Sequence, residues 1–301
     1  MPGPAIEIKD LVKYYGKLQA LKGVTLNVED GEVMGFLGPN GAGKTTTIRC
    51  MLDMIRPQGG SIRIFGIDPQ KNPVEVRKLV GYLPGELNLD GNLKVLDALH
   101  YFGSLRHNQI DWNYVNSLAD RIELDVNHSI KNLSKGNKQK VGILQALMHQ
   151  PRLLILDEPT SGLDPLMQQE VYRILREARR EGTTIFFSSH IINEVGEIAD
   201  RVAIIREGVI IEETEPEILG HMDVRRFRVR FKDPVTEESL AEMPDVSSVV
   251  RVRKNVFTFE VEGEIDGFIK SLANFSVSDL NVERSSLEEI FLAYYSDGKG
   301  N

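Results

Sequence analysis

Apolar and polar positions alternate at the start of the chain. Ile6, Glu7, Ile8 and Lys9, then Leu21, Val24, Leu26 and Val28, with turns at Tyr15-Gly16-Lys17 and Glu29-Asp30-Gly31, predict short antiparallel strands. The pattern then changes. Val33-Met34-Gly35-Phe36-Leu37 is a continuous apolar run, as are Leu79-Val80-Gly81-Tyr82-Leu83 and Leu153-Leu154-Ile155-Leu156. Runs of that length suit strands buried on both faces of a parallel sheet. Thr183-Thr184-Ile185-Phe186-Phe187 adds another strand, Ser61-Ile62-Arg63-Ile64-Phe65 a short one, and residues 201–212 a hairpin turning at Glu207-Gly208. Between these lie helical periods. Leu93, Leu96, Leu99, Phe102 and Leu105 recur at spacings of three, Leu118 and Ile122 suit a further helix, and Val141, Leu144, Leu147 and Met148 share one face from Lys138 to about His149. The whole is an α/β domain with an all-helical insertion.

From about His221 the pattern is that of a second, smaller unit. Residues 226–231 alternate as a strand, 236–243 suit a short helix, and 249–252 with 257–261 form a hairpin around Lys254-Asn255. Residues 265–275 are helical and 277–282 extended. Ser286-Leu287-Glu288-Glu289 has the form of a capping box for a last helix ending near Tyr295. The order βαββαβ is that of a ferredoxin-like unit, and no catalytic constellation falls within it.

The chemistry lies at the ends of the buried strands. Gly38, Pro39, Asn40, Gly41, Ala42, Gly43, Lys44, Thr45 and Thr46 follow one apolar run and lead into a helical stretch, so the pattern Gly-x-x-x-x-Gly-Lys-Thr stands in its required strand–loop–helix setting. Such a loop turns successive backbone N–H groups onto a polyphosphate, with the helix N-terminus adding its positive end. Lys44 then reaches the β- and γ-phosphates and the Thr45 hydroxyl can ligate Mg²⁺. Asp157 and Glu158 end another buried strand, where two adjacent acids are costly unless a cation or a reaction uses them. Asp157 is placed to hold the Mg²⁺ shell and Glu158 to polarise a water against the γ-phosphate.

Three weaker signals are each open to two readings. Ser134 and Gly136 at a helix start are either a cap or a second anion-binding end. His190, ending the strand at 183–189, is either a hydrogen-bonded turn residue or a contact to the γ-phosphate, and its sheet edge favours the second. Tyr15, before a turn glycine, is either a half-buried strand tyrosine or a ring free to stack on a base.

Taken together, these elements resemble the nucleotide-binding subunit of an ATP-binding cassette (ABC) transporter, over residues 4–220. The resemblance rests on the Walker A loop 38–46, the signature Leu133-Ser134-Lys135-Gly136-Asn137, the Walker B strand 153–158, the D-loop Ser161-Gly162-Leu163-Asp164 and the switch His190, in the family's order. It implies a P-loop fold with a RecA-like parallel core sheet, an antiparallel β subdomain and a helical subdomain at about 86–150, all within residues 1–220. It also implies ATP and Mg²⁺ as cofactors and a head-to-tail dimer, of two copies or with a paralogue. Ser134 and Gly136 would then bind the γ-phosphate of ATP held by the partner's Lys44. Glu158 would be the general base, His190 would stabilise the γ-phosphate, Asp164 would link the two sites, and Tyr15 would stack on adenine. A separate membrane permease is implied as partner, docking on the helical insertion 86–130. Residues 221–301, which carry no catalytic constellation and so suit a regulatory or dimer-supporting role, resemble the C-terminal extension of drug and peptide-antibiotic exporter ATPases, which implies export.

Two departures stand out. The family's Leu-Ser-Gly-Gly-Gln is here Leu-Ser-Lys-Gly-Asn, and Asn137 keeps the amide one methylene shorter. The family's Mg²⁺-ligating glutamine is replaced by Gly85, which has no side chain; Glu86 or a water is expected to substitute.

Composition narrows the alternatives. A net charge of −8 argues against a nucleic-acid surface as the main activity, and a single cysteine, Cys50, excludes an intrachain disulfide. No apolar run approaches the roughly 18 residues that span a bilayer, and no signal-peptide core is seen, so the chain is expected in the cytoplasm, on the membrane's cytoplasmic face through the permease. The competing reading is a soluble ABC-type ATPase acting on ribosomes or DNA; one Walker A loop and no sustained heptads count against it. A GTPase is disfavoured because Asn137-Lys138-Gln139-Lys140 fails the Asn-Lys-x-Asp pattern at its last residue.

Overall fold

A computed structural model describes residues 3–106, 110–216, 224–263 and 265–283. The chain divides into two compact units, Met1–Pro216 and Glu217–Asn301.

The first unit opens with β1 (Ile6–Tyr15), β2 (Leu18–Val28), β3 (Val33–Leu37), α1 (Lys44–Met51), β4 (Gly59–Ile64), α2 (Pro73–Leu79) and β5 (Val80–Leu83). It continues through α3 (Val95–Ser104), α4 (Trp112–Arg121), α5 (Lys135–Leu147), β6 (Leu153–Asp157), α6 (Pro165–Arg180), β7 (Thr184–Ser189), α7 (Ile192–Ile198), β8 (Arg201–Arg206) and β9 (Val209–Thr214).

Strands β2, β1 and β4 form an antiparallel sheet in that order. Its register pairs Ile6 with Val28 and Ile8 with Leu26, which puts four buried apolar side chains on one face. The core sheet has the order β5-β6-β7-β3-β8-β9 and is parallel except for β9. Every residue of β3, β6 and β7 is buried, which is why these strands read as apolar runs rather than alternating ones. Glu207 and Gly208 both have positive φ, 48° and 82°, the backbone that a two-residue hairpin turn between β8 and β9 requires.

The parallel order brings the C-terminal ends of β3, β5, β6 and β7 to one edge, where open α/β sheets place their ligands. The phosphate loop, Gly85, Asp157 with Glu158, and His190 follow those four strands in turn.

The helical part differs from the sequence reading in detail. The apolar period from Leu93 resolves into α3 and α4, with Asp111 capping α4 through the N–H groups of Asn113 and Tyr114. Helix α5 begins at Lys135, three residues before the expected start, because the Ser134 hydroxyl caps it by accepting from the Asn137 N–H. Helix α2 was not anticipated: it is seven residues long and buries only Val76, too little periodicity to mark it.

The second unit runs β10 (Val224–Phe231), α8 (Glu237–Ala241), β11 (Val246–Arg253), β12 (Val256–Glu262), α9 (Asp266–Leu272) and β13 (Val277–Glu283). Its antiparallel sheet has the order β11-β12-β10-β13, so the first and third strands of the βαββαβ unit lie at the centre, the ferredoxin-like arrangement. Phe227, Phe259 and Phe268 form its core, with ring centroids 4.9 and 5.1 Å from Phe268. The helix read from the capping box at 286–289, and the boundary at 220–221, lie outside the described residues.

Candidate active site

The phosphate loop is pressed against the sheet. A Cβ on Gly38 would come within 2.3 Å of the Ile205 carbonyl oxygen on β8, so only glycine allows the loop to lie this close. Gly43 caps α1, while Asn40 and Gly41 at the rim are exposed. The Lys44 ammonium donates to the carbonyls of Gly38 at 2.6 Å and Pro39 at 3.1 Å. Burial lowers its pKa from the ordinary lysine value, and the charges of Glu158 and Asp157 oppose that shift. An anion entering the loop would give this buried cation a charged partner.

At the end of β6 the structure joins residues from three strands. Asp157 is buried; its Oδ2 accepts from the Thr45 hydroxyl at 2.7 Å and its Oδ1 from the Ser188 hydroxyl at 2.5 Å. Tyr82 on β5 has its phenol pushed up to about 12, by burial first and by the Asp157 charge second. Thr45 and Asp157 thus offer a hydroxyl and a carboxylate side by side, the hard oxygen donors Mg²⁺ takes when phosphate and water complete its shell. Among the described residues no three His, Cys, Asp or Glu side chains gather into a metal site.

Glu158 follows in a left-handed conformation, φ 52°, sparsely populated for such a residue. Its N–H donates to the carbonyl and the hydroxyl of Ser188, both at 3.2 Å. The half-exposed His190 ring places Nδ1 3.1 Å from Glu158 Oε1. Gly85, past the end of β5, faces the same centre: a Cβ there would sit 3.3 Å from Asp157 Oδ2. A side chain at position 85 is therefore aimed at the Asp157 carboxylate, and the chain has none. Glu86 is exposed.

Ser134, Gly136 and Asp164 form a second group. A Cβ on Gly136 would lie 2.6 Å from the Gly162 carbonyl oxygen, so the start of α5 and the 161–164 turn are in close approach. Asp164 caps α6, accepting from the N–H groups of Leu166 and Met167 at 3.1 Å. Tyr15 ends β1 with 45% of its surface exposed, and the Lys13 ammonium lies 5.5 Å from its ring centroid.

Sequence reasoning passed over Ser188, Gln139, Thr160 and Glu194. The buried Gln139 amide donates to the carbonyls of Glu158 at 2.9 Å and Pro159 at 3.0 Å, tying α5 to the turn that carries Glu158. Each is an ordinary polar residue in its own segment, and only packing shows what it holds.

Residues 21–161 match the ABC transporter family. Over nearly its full length the chain is 33% identical to the daunorubicin/doxorubicin resistance ATP-binding protein DrrA of Streptomyces peucetius, covering 97% of this chain and 92% of that protein. The chain belongs to the ATP-binding subunits of ABC transporters. The family's reaction is the hydrolysis of ATP. The chain is also 41% identical over 217 residues to the bacitracin transport ATP-binding protein BcrA of Bacillus licheniformis, covering 69% of each. Among solved structures, the first unit resembles an ATP-binding subunit of an ABC transporter with a TM-score of 0.67 and 29% identity, over 71% of this chain and 91% of that one. It resembles the dimeric bacterial ABC transporter cassette MJ0796 with a TM-score of 0.64 and 25% identity, over 70% and 98%. No described helix is long and apolar enough to cross a membrane.

Proposed function

We propose that this subunit hydrolyses MgATP between two head-to-tail copies, or between one copy and a paralogue, and uses the cycle to drive a separate membrane permease in export of a drug-like or peptide-antibiotic-like compound. The observation that carries the reading is the convergence of Lys44, Thr45, Asp157, Glu158 and His190 at one sheet edge, linked by the 2.7 Å Thr45–Asp157 and 3.1 Å Glu158–His190 contacts.

In this reading the loop 38–46 cradles the phosphates, with Lys44 on the β- and γ-phosphates and Tyr15 on the adenine ring. Thr45 and Asp157 hold Mg²⁺, which when bound neutralises phosphate charge. Glu158 accepts the proton of the attacking water, and His190, fixed by its contact to Glu158, supports the γ-phosphate. Ser134 and Gly136 close on the γ-phosphate of the opposite copy, and Asp164 sits in the turn between the two sites. The export direction is supported by the two relatives, named for bacitracin transport and for daunorubicin/doxorubicin resistance.

The permease docks on a groove of about 520 Å³ between β5 and the helical part, lined by Tyr82, Pro84, Leu87, Phe102, Leu105 and His149. The groove adjoins Gly85, so an occupant would lie beside the metal centre. The unit 221–301 supports the dimer or regulates it. The test is ATP turnover in proteoliposomes, with and without the membrane protein that co-purifies with the chain. Turnover indifferent to that protein would contradict the coupling.

A further inference from the structure

Glu194 lies on α7, four residues after His190, with 6% of its surface exposed. A carboxylate buried to that degree is costly unless both oxygens are hydrogen-bonded. Here both are. Oε1 accepts from the Thr160 hydroxyl, and Oε2 accepts from the Ser189 hydroxyl at 2.5 Å. Thr160 and Ser189 are themselves buried, and the Ile191 N–H donates to the Ser189 hydroxyl at 2.8 Å.

The two donors come from different elements, one from the turn after β6 and one from the last residue of β7. Thr160 closes the turn Glu158-Pro159-Thr160 after β6; Ser189 ends β7 immediately before His190. The strand pairing of β6 with β7 ends at Asp157 and Ser188, and one further backbone bond joins the Glu158 N–H to the Ser188 carbonyl. Beyond that bond the Glu194 carboxylate links the two segments, through Thr160 on one side and Ser189 on the other. Glu158 lies two residues from one anchor and His190 one residue from the other.

We infer that Glu194 is a positioning residue that sets the separation of Glu158 and His190 by pinning the turn that carries Glu158 to the end of β7 that precedes His190, an inference that rests on the reading of Glu158 and His190 given above. Two hydroxyls donating to one buried carboxylate are charge-assisted and shielded from water, which makes the link stiff. Stiffness matters because Glu158 is held at φ 52°, a conformation that persists only where the surroundings enforce it. Ser188 and Gln139 restrain the backbone of that turn, and Glu194 restrains its far end. Phosphoryl transfer depends on placement of its groups, so a loosened turn slows chemistry while the phosphate loop, on another strand end, still binds nucleotide.

The experiment measures steady-state ATP turnover and equilibrium MgATP binding for Glu194→Ala, Glu194→Gln, Thr160→Val and the pair Glu194→Ala with Thr160→Val, beside Glu158→Gln as control. Glu194→Ala is expected to lower kcat by about 30-fold or more with KM and nucleotide affinity within about threefold. Glu194→Gln, which keeps an acceptor oxygen, is expected to recover most of the loss. The pair is expected to be no worse than Glu194→Ala alone, since both cut one link. The inference is overturned if kcat in Glu194→Ala stays within about twofold of the parent, if kcat and nucleotide affinity fall together, or if the pair is additive. Should Glu194→Ala not fold, the near-isosteric Thr160→Val and Ser189→Ala variants carry the same test, with kcat loss at unchanged affinity expected and unchanged kcat overturning. Full turnover in Glu158→Gln would overthrow the catalytic reading itself; a dead Glu158→Gln beside a normal Glu194→Ala would remove only the pin.

Discussion

The Thr45 hydroxyl donates to Oδ2 of Asp157 across 2.7 Å, although 112 residues separate the two in the chain. The carboxylate's other oxygen is taken by Ser188 at 2.5 Å, so Asp157 is held from both sides. Asp157→Asn removes the charge and turns an amide toward one of the two hydroxyls. Metal affinity in the presence of ATP, followed by electron paramagnetic resonance with Mn²⁺, should weaken by about tenfold or more. An unchanged affinity would take Asp157 out of the metal shell.

Gly85 tests the same centre from the opposite side. Because a Cβ at this position would stand 3.3 Å from Asp157 Oδ2, Gly85→Gln carries its amide toward the cation site proposed at Asp157, with a small local shift of that carboxylate. The Mg²⁺ concentration for half-maximal turnover should fall in Gly85→Gln and rise in Glu86→Ala. Parental turnover and Mg²⁺ dependence in both variants would sink the idea that Glu86 substitutes for the missing ligand.

Glu158→Gln leaves the phosphate loop intact and removes the carboxylate proposed as the base. Turnover should drop by about a hundredfold or more, with ATP binding retained. The ATP-bound variant should accumulate as a dimer in size-exclusion chromatography coupled to light scattering. Retained turnover is the contrary result.

Ser134 speaks to the arrangement of the two copies. In mixed dimers with one disabled phosphate loop, Ser134→Ala should impair hydrolysis only when it lies in the subunit opposite the intact loop. An effect from the same subunit would contradict the head-to-tail site.

His149 predicts a pH dependence of stability. Burial, and then the Arg106 charge, push its pKa down from 6.5 to about 4. The unfolded chain therefore takes up a proton that the folded one refuses, and stability is lost as pH falls from about 6.5 toward about 4. The loss has an upper size of about 3 kcal/mol. Urea unfolding across that window should show the drop in the parent and a flatter profile in His149→Gln, whose amide can still donate to the Val80 carbonyl that His149 Nε2 contacts. Parallel profiles would show that His149 does not govern the window.

Much of the fold and most of the site could be read from residue order alone. The runs 33–37 and 153–156 announce strands buried on both faces because a parallel sheet leaves no polar side, and β3 and β6 are those strands. The alternation of 226–231 and 257–261 announces the second sheet for the complementary reason, since one face packs on Phe227, Phe257 and Phe259 while the other meets water. The expected start of α5 missed by three residues because periodicity locates a buried face, whereas the cap that starts the helix is one hydroxyl, that of Ser134. Helix α2, burying little, left almost no periodic trace.

What the sequence by itself determined is the local chemistry: a phosphate loop between strand and helix, acids after a buried strand, a polar residue after the next. These follow from neighbours in the chain and from period, which any reader of the residues can count. What only the tertiary structure decided is which side chains hold those groups in place. Ser188 reaches Asp157 because β6 and β7 pair in one register; Gln139 reaches Glu158 because α5 packs against the β6 turn; Glu194 joins the turn after β6 to the end of β7 because α7 packs against both. Such contacts depend on how strands align and helices dock, and burial makes their hydrogen bonds obligatory without marking them in the sequence.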